Sequence, residues 1–178
     1  LRFAAYFGEV SQYPIEKYFG SNEPSQQVIV DDADHPPVTD MWHTDVTWLE
    51  RPPVAAVISM LELPEYGGDT MWGSTTLAYD DLSDNMKSLV NGLTATHSCH
   101  RSFVNIAEEK SGIEGLAEQL MAAYPAISHP IVRTHPRTAK RSLYITDRGV
   151  MHHIDGLAAA ESNAILDFLD QHIAQPKF

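Results

Sequence analysis

The apolar positions of the chain fall into two periods, and each predicts a different kind of element. From Glu161 to Ala174, residues Ala164, Ile165, Phe168, Leu169 and Ile173 follow helical spacing. Ile113, Leu116, Ala117, Leu120 and Met121 repeat it over Ile113 to Tyr124, where Pro125 ends the helix because it cannot continue one. Ser83 supplies a hydroxyl cap for a short helix running to Asn91, with Gly92 as its stop. Leu1 to Phe7 reads as the last turns of an amphipathic helix closed by Gly8. The period of two appears first at Trp42-His43-Thr44-Asp45-Val46-Thr47-Trp48, which predicts an extended strand. Val54 to Leu63, largely apolar and partly β-branched, predicts a buried strand; Pro64 to Gly68 turns the chain, and Asp69 to Trp72 resumes extended structure. Leu93 to Ser98 is a further strand. Ile131 to Thr134 and Ser142 to Thr146 alternate as a strand pair around a hairpin turn at Pro136 to Lys140. Ser11 to Asp40 is loop apart from a short strand at Val28-Ile29-Val30. Many short strands with a few helices imply a β-sandwich or barrel with helices packed outside it.

Composition narrows the function. A chain of 178 residues with 43% hydrophobic and 20% charged residues suits one domain with a real core. A formal net charge of -12 argues against a nucleic-acid partner, since no basic patch is present to displace counterions, and favours a small-molecule substrate. The single Cys99 forms no internal disulfide, and no apolar run approaches the roughly 20 residues of a membrane span. A reducing, cytoplasmic setting without a membrane partner follows as the expectation. The chain starts inside one predicted element and stops just beyond another, so the expectation is a single catalytic domain, 1–178, incomplete at both ends.

The candidate chemistry lies in the alternating stretch. On a strand, residues two apart share a face, so His43 and Asp45 would project together. An imidazole and a carboxylate side by side, joined by a distant His, make the 2-His-1-carboxylate triad of non-haem Fe(II) oxygenases. Alone, the pair reads more readily as a chance His and Asp on a surface strand, with about one chance in ten for a metal site.

Three motifs in order then carry a resemblance. Trp42-His43-Thr44-Asp45-Val46-Thr47, Leu63-Pro64 with Gly67-Gly68-Asp69-Thr70-Met71-Trp72, and His129-Pro130-Ile131-Val132-Arg133-Thr134-His135-Pro136 followed by Leu143-Tyr144 resemble the taurine dioxygenase (TauD/TfdA) family. The likeness runs from Phe7-Gly8-Glu9 to Pro176-Lys177-Phe178. It implies a mainly β fold with flanking helices, a double-stranded β-helix (jelly roll) of the TauD/clavaminate synthase-like type. It also implies Fe(II), 2-oxoglutarate as cosubstrate, O2, and hydroxylation of a small anionic substrate with release of succinate and carbon dioxide. The class spans taurine and other sulfonates, alkyl sulfates and aryloxy acids.

The resemblance also implies roles. His43 and Asp45 would be catalytic iron ligands, and Thr70 would hydrogen-bond the distal carboxylate of 2-oxoglutarate from behind the Gly67-Gly68 turn, where glycine removes side-chain bulk. Val46 and Trp48 would line the substrate pocket, and Tyr13 stands where the taurine enzyme has a sulfonate-touching His. Nearby, Glu16 replaces a Tyr and Thr39 falls near the pocket Asn; these changes count against taurine itself, because a carboxylate repels an anion. Ala139 replaces a usual turn Gly. The family's third ligand His and the Arg that clamps 2-oxoglutarate are not found before Phe178. His97, His100, His129, His135, His152 and His153 are the candidates to fill that gap, and none is assigned: His129 and His135 belong to the strand motif and are not ligands there, and His152-His153 reads as an exposed loop pair. A homo-oligomer, dimer or tetramer, is the family's usual state. The rival function is a truncated or degenerate relative acting as a non-catalytic metabolite-binding or interaction module, with a cupin-like binding protein as a further one.

Overall fold

The computed structural model describes residues 2–15, 28–32, 41–99 and 113–178. Within them, helix α1 (Thr75–Asp81) leads through Ser83 into α2 (Asp84–Val90), then strand β1 (Thr94–His97), helix α3 (Leu116–Ala123), strands β2 (Ile127–Pro130), β3 (Val132–Thr134), β4 (Arg141–Leu143) and β5 (Met151–Ile154), and helix α4 (Ala159–Ile173). The sheet-rich centre with helices outside agrees with the expected class.

The strands form two antiparallel sheets joined by one continuous run. β1 lies between β2 and β5, with Ala95 opposite both His129 and Ile154. β3 pairs β4, Val132 opposite Leu143. Ile131 is the corner: its N–H donates to the Leu93 carbonyl on the first sheet, and its carbonyl accepts from the Tyr144 N–H of the second. Fully buried itself, it sits in the larger core with Ala78, Val90, Ala95, Met151, Ile154, Leu166 and Leu169. That core is the inner faces of β1 and β5 closed by α1 and α4. The His172 ring donates through Nε2 to the Ala78 carbonyl at 2.8 Å, tying α4 to α1. A second, smaller core gathers Ile15, Trp48, Cys99, Leu116, Leu120 and Val150.

Locally determined elements form as expected. Ser83 Oγ accepts from the Met86 N–H, and Asn91 and Gly92 (φ +86°) end α2. Leu116 and Leu120, four apart, bury the inner face of α3. The β3–β4 hairpin closes through His135 and Lys140, with Ala139 at φ +56°. His135 Nδ1 accepts the Arg137 and Thr138 N–H groups, a structural role.

Other expectations are corrected. Trp42 to Trp48 is not a strand: the chain turns over residues 45–48, with Val46 at φ +55°. Val54 to Leu63 is neither strand nor buried. Val54 is 91% and Leu61 83% exposed, because apolar and β-branched content supplies no ladder, and among the described residues nothing pairs with this segment. Val28 to Val30 is likewise exposed and not a strand, and Asp69 to Trp72 is exposed and outside any ladder among the described residues. The N-terminal stretch forms one 3-10 turn, Ala4–Tyr6, on the surface rather than helical turns packed on a core. His152 and His153 are not an exposed loop; they occupy the middle of β5, half-buried. Helix α1 and strands β2 and β5 were not anticipated. Glu16, Thr39 and His100 lie outside the described residues. Among the described residues no helix is long and apolar enough to cross a membrane.

Candidate metal and substrate site

His43 and Asp45 do come together, by a route other than strand periodicity. His43 Nε2 lies 3.3 Å from Asp45 Oδ1, both side chains partly exposed. His43 Nδ1 is 3.0 Å from the Met41 carbonyl. A carbonyl only accepts, so this contact assigns the proton to Nδ1 and leaves a lone pair on Nε2 in the neutral ring. Nε2 and the carboxylate oxygen are then two acceptors facing each other at 3.3 Å, an arrangement that a shared proton or a cation makes attractive. Two donors each about 2.1 Å from one ion at a right angle stand about 3.0 Å apart, so the observed spacing fits a metal. Imidazole Nδ1–H on a backbone carbonyl is also the outer support that orients a metal-binding His. The donor set, one nitrogen and one oxygen, suits a divalent iron. The pair could supply at most two ligands: among the described residues no cluster of three or more His, Cys, Asp or Glu side chains is arranged to hold a metal.

Hydroxyls hold the turn in place. The Thr44 N–H donates to Thr146 Oγ1 at 3.1 Å, Thr146 Oγ1 donates to the Thr44 carbonyl at 3.1 Å, and Thr44 Oγ1 donates to the Ile145 carbonyl at 3.2 Å. Beyond Asp45, Val46 takes a left-handed conformation that disfavours β-branched residues by about 1–3 kcal/mol. The Leu49 N–H closes this turn on the Val46 carbonyl. Buried Thr47 Oγ1 meets His97 Nδ1 at 2.9 Å.

His97 is fully buried, ring-stacked with Tyr144 and edge-on to His129. Burial, then the neighbouring His129 and His152, pushes its pKa down to about 4. It supports the turn as a neutral ring. His129 Nε2 is engaged by the Leu49 carbonyl at 2.9 Å, so this histidine also braces the turn.

A cavity of about 250 Å³ opens beside His43, lined by Trp42, Thr44, Met71, Trp72, Gly73, Ser74, Thr75, Ile145 and Ile173. Mixed aromatic, aliphatic and hydroxyl walls suit a small organic molecule. Gly67 (φ +78°) and Gly68 (φ +70°) turn the chain so that Asp69 to Trp72 runs up to this cavity. Thr70 itself is exposed and adjoins the lining residue Met71. Trp48 is 3% exposed, packed edge-to-face on Tyr124 in the smaller core, and half-buried Tyr13 and Val46 pack against the same core. None of these three is among the residues that line the cavity. Thr146, His97 and the walls Ile145 and Ile173 had no signal in the sequence, since each acts through contacts distant along the chain.

Comparison with known proteins places this geometry in context. The model of the family described as "Taurine catabolism dioxygenase TauD, TfdA family" matches residues 1–178. A Schizosaccharomyces pombe protein described as a candidate alpha-ketoglutarate-dependent sulfonate dioxygenase is 39% identical over 134 residues, 75% of this chain and 32% of that protein. An alkylsulfatase of Acinetobacter baylyi is 30% identical over 76% of this chain and 43% of its own length. The crystal structure of a taurine dioxygenase from Burkholderia xenovorans superposes with a TM-score of 0.62 at 32% identity, covering 78% of this chain and 43% of that one. The chain thus spans less than half the length of these relatives. The likeness to the solved structures accords with the jelly-roll class expected from the motifs.

Proposed function

Because the chain belongs to the taurine catabolism dioxygenase TauD, TfdA family, we propose that it acts as an Fe(II)- and 2-oxoglutarate-dependent dioxygenase on a small anionic substrate. The observation that carries this is the His43 Nε2 and Asp45 Oδ1 pair, 3.3 Å apart with the imidazole proton engaged at Met41. Iron bound with 2-oxoglutarate and O2 supplies oxidation of a substrate C–H bond, with succinate and carbon dioxide as co-products.

The chain's own residues bind and orient. His43 and Asp45 hold the ion. Thr70 offers its hydroxyl to the distal carboxylate of the cosubstrate. Half-buried Val46 and Tyr13 retain surface that a substrate extending beyond the cavity can touch, with Trp48 beside them in the smaller core. Trp42, Met71 and Trp72 give the cavity apolar and aromatic walls. Sulfonates, alkyl sulfates and aryloxy acids form the substrate class, supported by the named activities of relatives such as the alkylsulfatase and a Burkholderia 2,4-dichlorophenoxyacetate dioxygenase. The single buried Cys99 accords with a reducing, cytoplasmic setting. A homo-oligomer is the assembly proposed.

Anaerobic addition of Fe(II) and 2-oxoglutarate tests the reading without knowledge of the substrate. A visible charge-transfer band that His43→Ala and Asp45→Ala each abolish supports it, and a screen scored by succinate release then finds the substrate. No band from the unsubstituted protein overturns it in favour of a non-catalytic binding module.

A further inference from the structure

Thr146 lies 102 residues beyond Thr44 in the chain, and its one hydroxyl serves both backbone groups of that residue. The Thr44 N–H belongs to the peptide unit that carries His43, and the Thr44 carbonyl to the unit that carries Asp45. A hydroxyl has one O–H and two lone pairs, so Thr146 Oγ1 accepts from the first unit and donates to the second, each at 3.1 Å. Both peptide planes are thereby set by a single atom. That residue is itself enclosed: Thr146 is 1% exposed, and the preceding Ile145 is core, lines the cavity, and takes the Thr44 hydroxyl on its carbonyl. The clasp matters because the segment lacks a strand ladder and continues into the left-handed Val46, so no regular element fixes the angle between the two side chains.

We propose that Thr146 is a positioning residue for the metal-binding pair, holding the two peptide units around Thr44 so that His43 and Asp45 face one ion. This rests on the dioxygenase reading above. Outer supports of this kind change metal affinity by roughly 10- to 100-fold when removed. Valine keeps the shape of threonine and loses the hydroxyl; serine keeps the hydroxyl.

The test is a Co(II) titration of the purified protein, followed by its visible absorbance, beside hydrogen exchange of the Thr44 amide in the metal-free protein. Thr146→Val is expected to weaken Co(II) binding at least tenfold and Thr146→Ser to restore it to within about threefold, with the Thr44 amide protected before any metal is added. Co(II) affinity unchanged in a folded Thr146→Val variant overturns the positioning role while leaving the iron reading intact. Should that variant fail to fold, the exchange measurement decides: a Thr44 amide exchanging like an open loop overturns the proposal, and a protected one supports it. No Co(II) binding by the unsubstituted protein overturns the iron reading and this proposal together.

Discussion

Buried neutral His97 makes a quantitative prediction about stability and pH. In the folded chain the ring is fully enclosed; burial, then the like charges of His129 and His152, lower its pKa from 6.5 to about 4, against the opposing pull of Asp155. The unfolded chain takes up a proton that the native state refuses. Stability from this residue is therefore complete above about pH 6.5 and is lost as pH falls toward 4. At about 1.4 kcal/mol for each pH unit, the gap from 6.5 to about 4 amounts to about 3.5 kcal/mol. His97→Gln removes the titration and keeps a polar end for Thr47. Urea unfolding of both proteins is the assay, compared pairwise at each pH. The advantage of the parent over the variant should shrink by about 2.5 kcal/mol between about pH 7.5 and 4.5. An advantage constant within about 0.5 kcal/mol would refute the reasoning, since the ring would then titrate alike in both states. Pairing matters because Asp170 acts oppositely in the same window, and the parent alone would show a nearly flat profile.

Asp170, whose burial on α4 raises its pKa to about 6 with Asp167 and Asp147 adding to the effect against Arg148, favours folding at low pH and loses that contribution as pH rises from 3.8 through 6. Asp170→Asn should accordingly stabilise the protein at pH 7 by up to about 3 kcal/mol and leave it unchanged near pH 3.5, measured by the same urea series. At the hairpin, Ala139 has φ +56°, a left-handed conformation costly for a residue with a Cβ. Ala139→Gly should raise stability by about 1 kcal/mol, read as a rise of a few degrees in Tm, and no rise would show that the turn relaxes around alanine.

What could be read from the chain follows the range of the interaction responsible. Ser83 with Asn91-Gly92, the Leu116–Leu120 face of α3 and the α4 repeat are decided within a few residues, and the structure has all three. Helix α1 follows the same rule with a weaker signal: Ser74 caps it through the Leu77 N–H, but it opens on two threonines, whose β-branching favours strand. β5 was hidden because its Met-His-His-Ile centre is polar, and the two histidines are half-buried beside β1 rather than solvated. Val54 to Leu63 shows the converse error. Propensity describes a surface that would fit a sheet and cannot supply the neighbouring strand, so the segment stays exposed and, among the described residues, unpaired.

The site separates in the same way, and the separation changes what controls it. Period-two reasoning brings His43 and Asp45 to one face of a strand, where neighbouring ladders would hold them and no single side chain would matter much. In the structure the same two residues meet on a turn, next to a Val46 conformation that is locally unfavourable. Such a turn persists only when its surroundings over-determine it. Thr146 does so before Asp45, the Thr47–His97 contact and the core burial of Trp48 do so after it, and His129 grips Leu49 beyond. The isolated stretch 42–48 has none of these anchors, so its motif marks the proposed ligands without containing the forces that aim them. Their mutual orientation is a property of contacts made 50 to 102 residues away, which is why substitutions at Thr146 or His97, neither of which touches the ion in the proposed site, are the sharper probes of how that site is built.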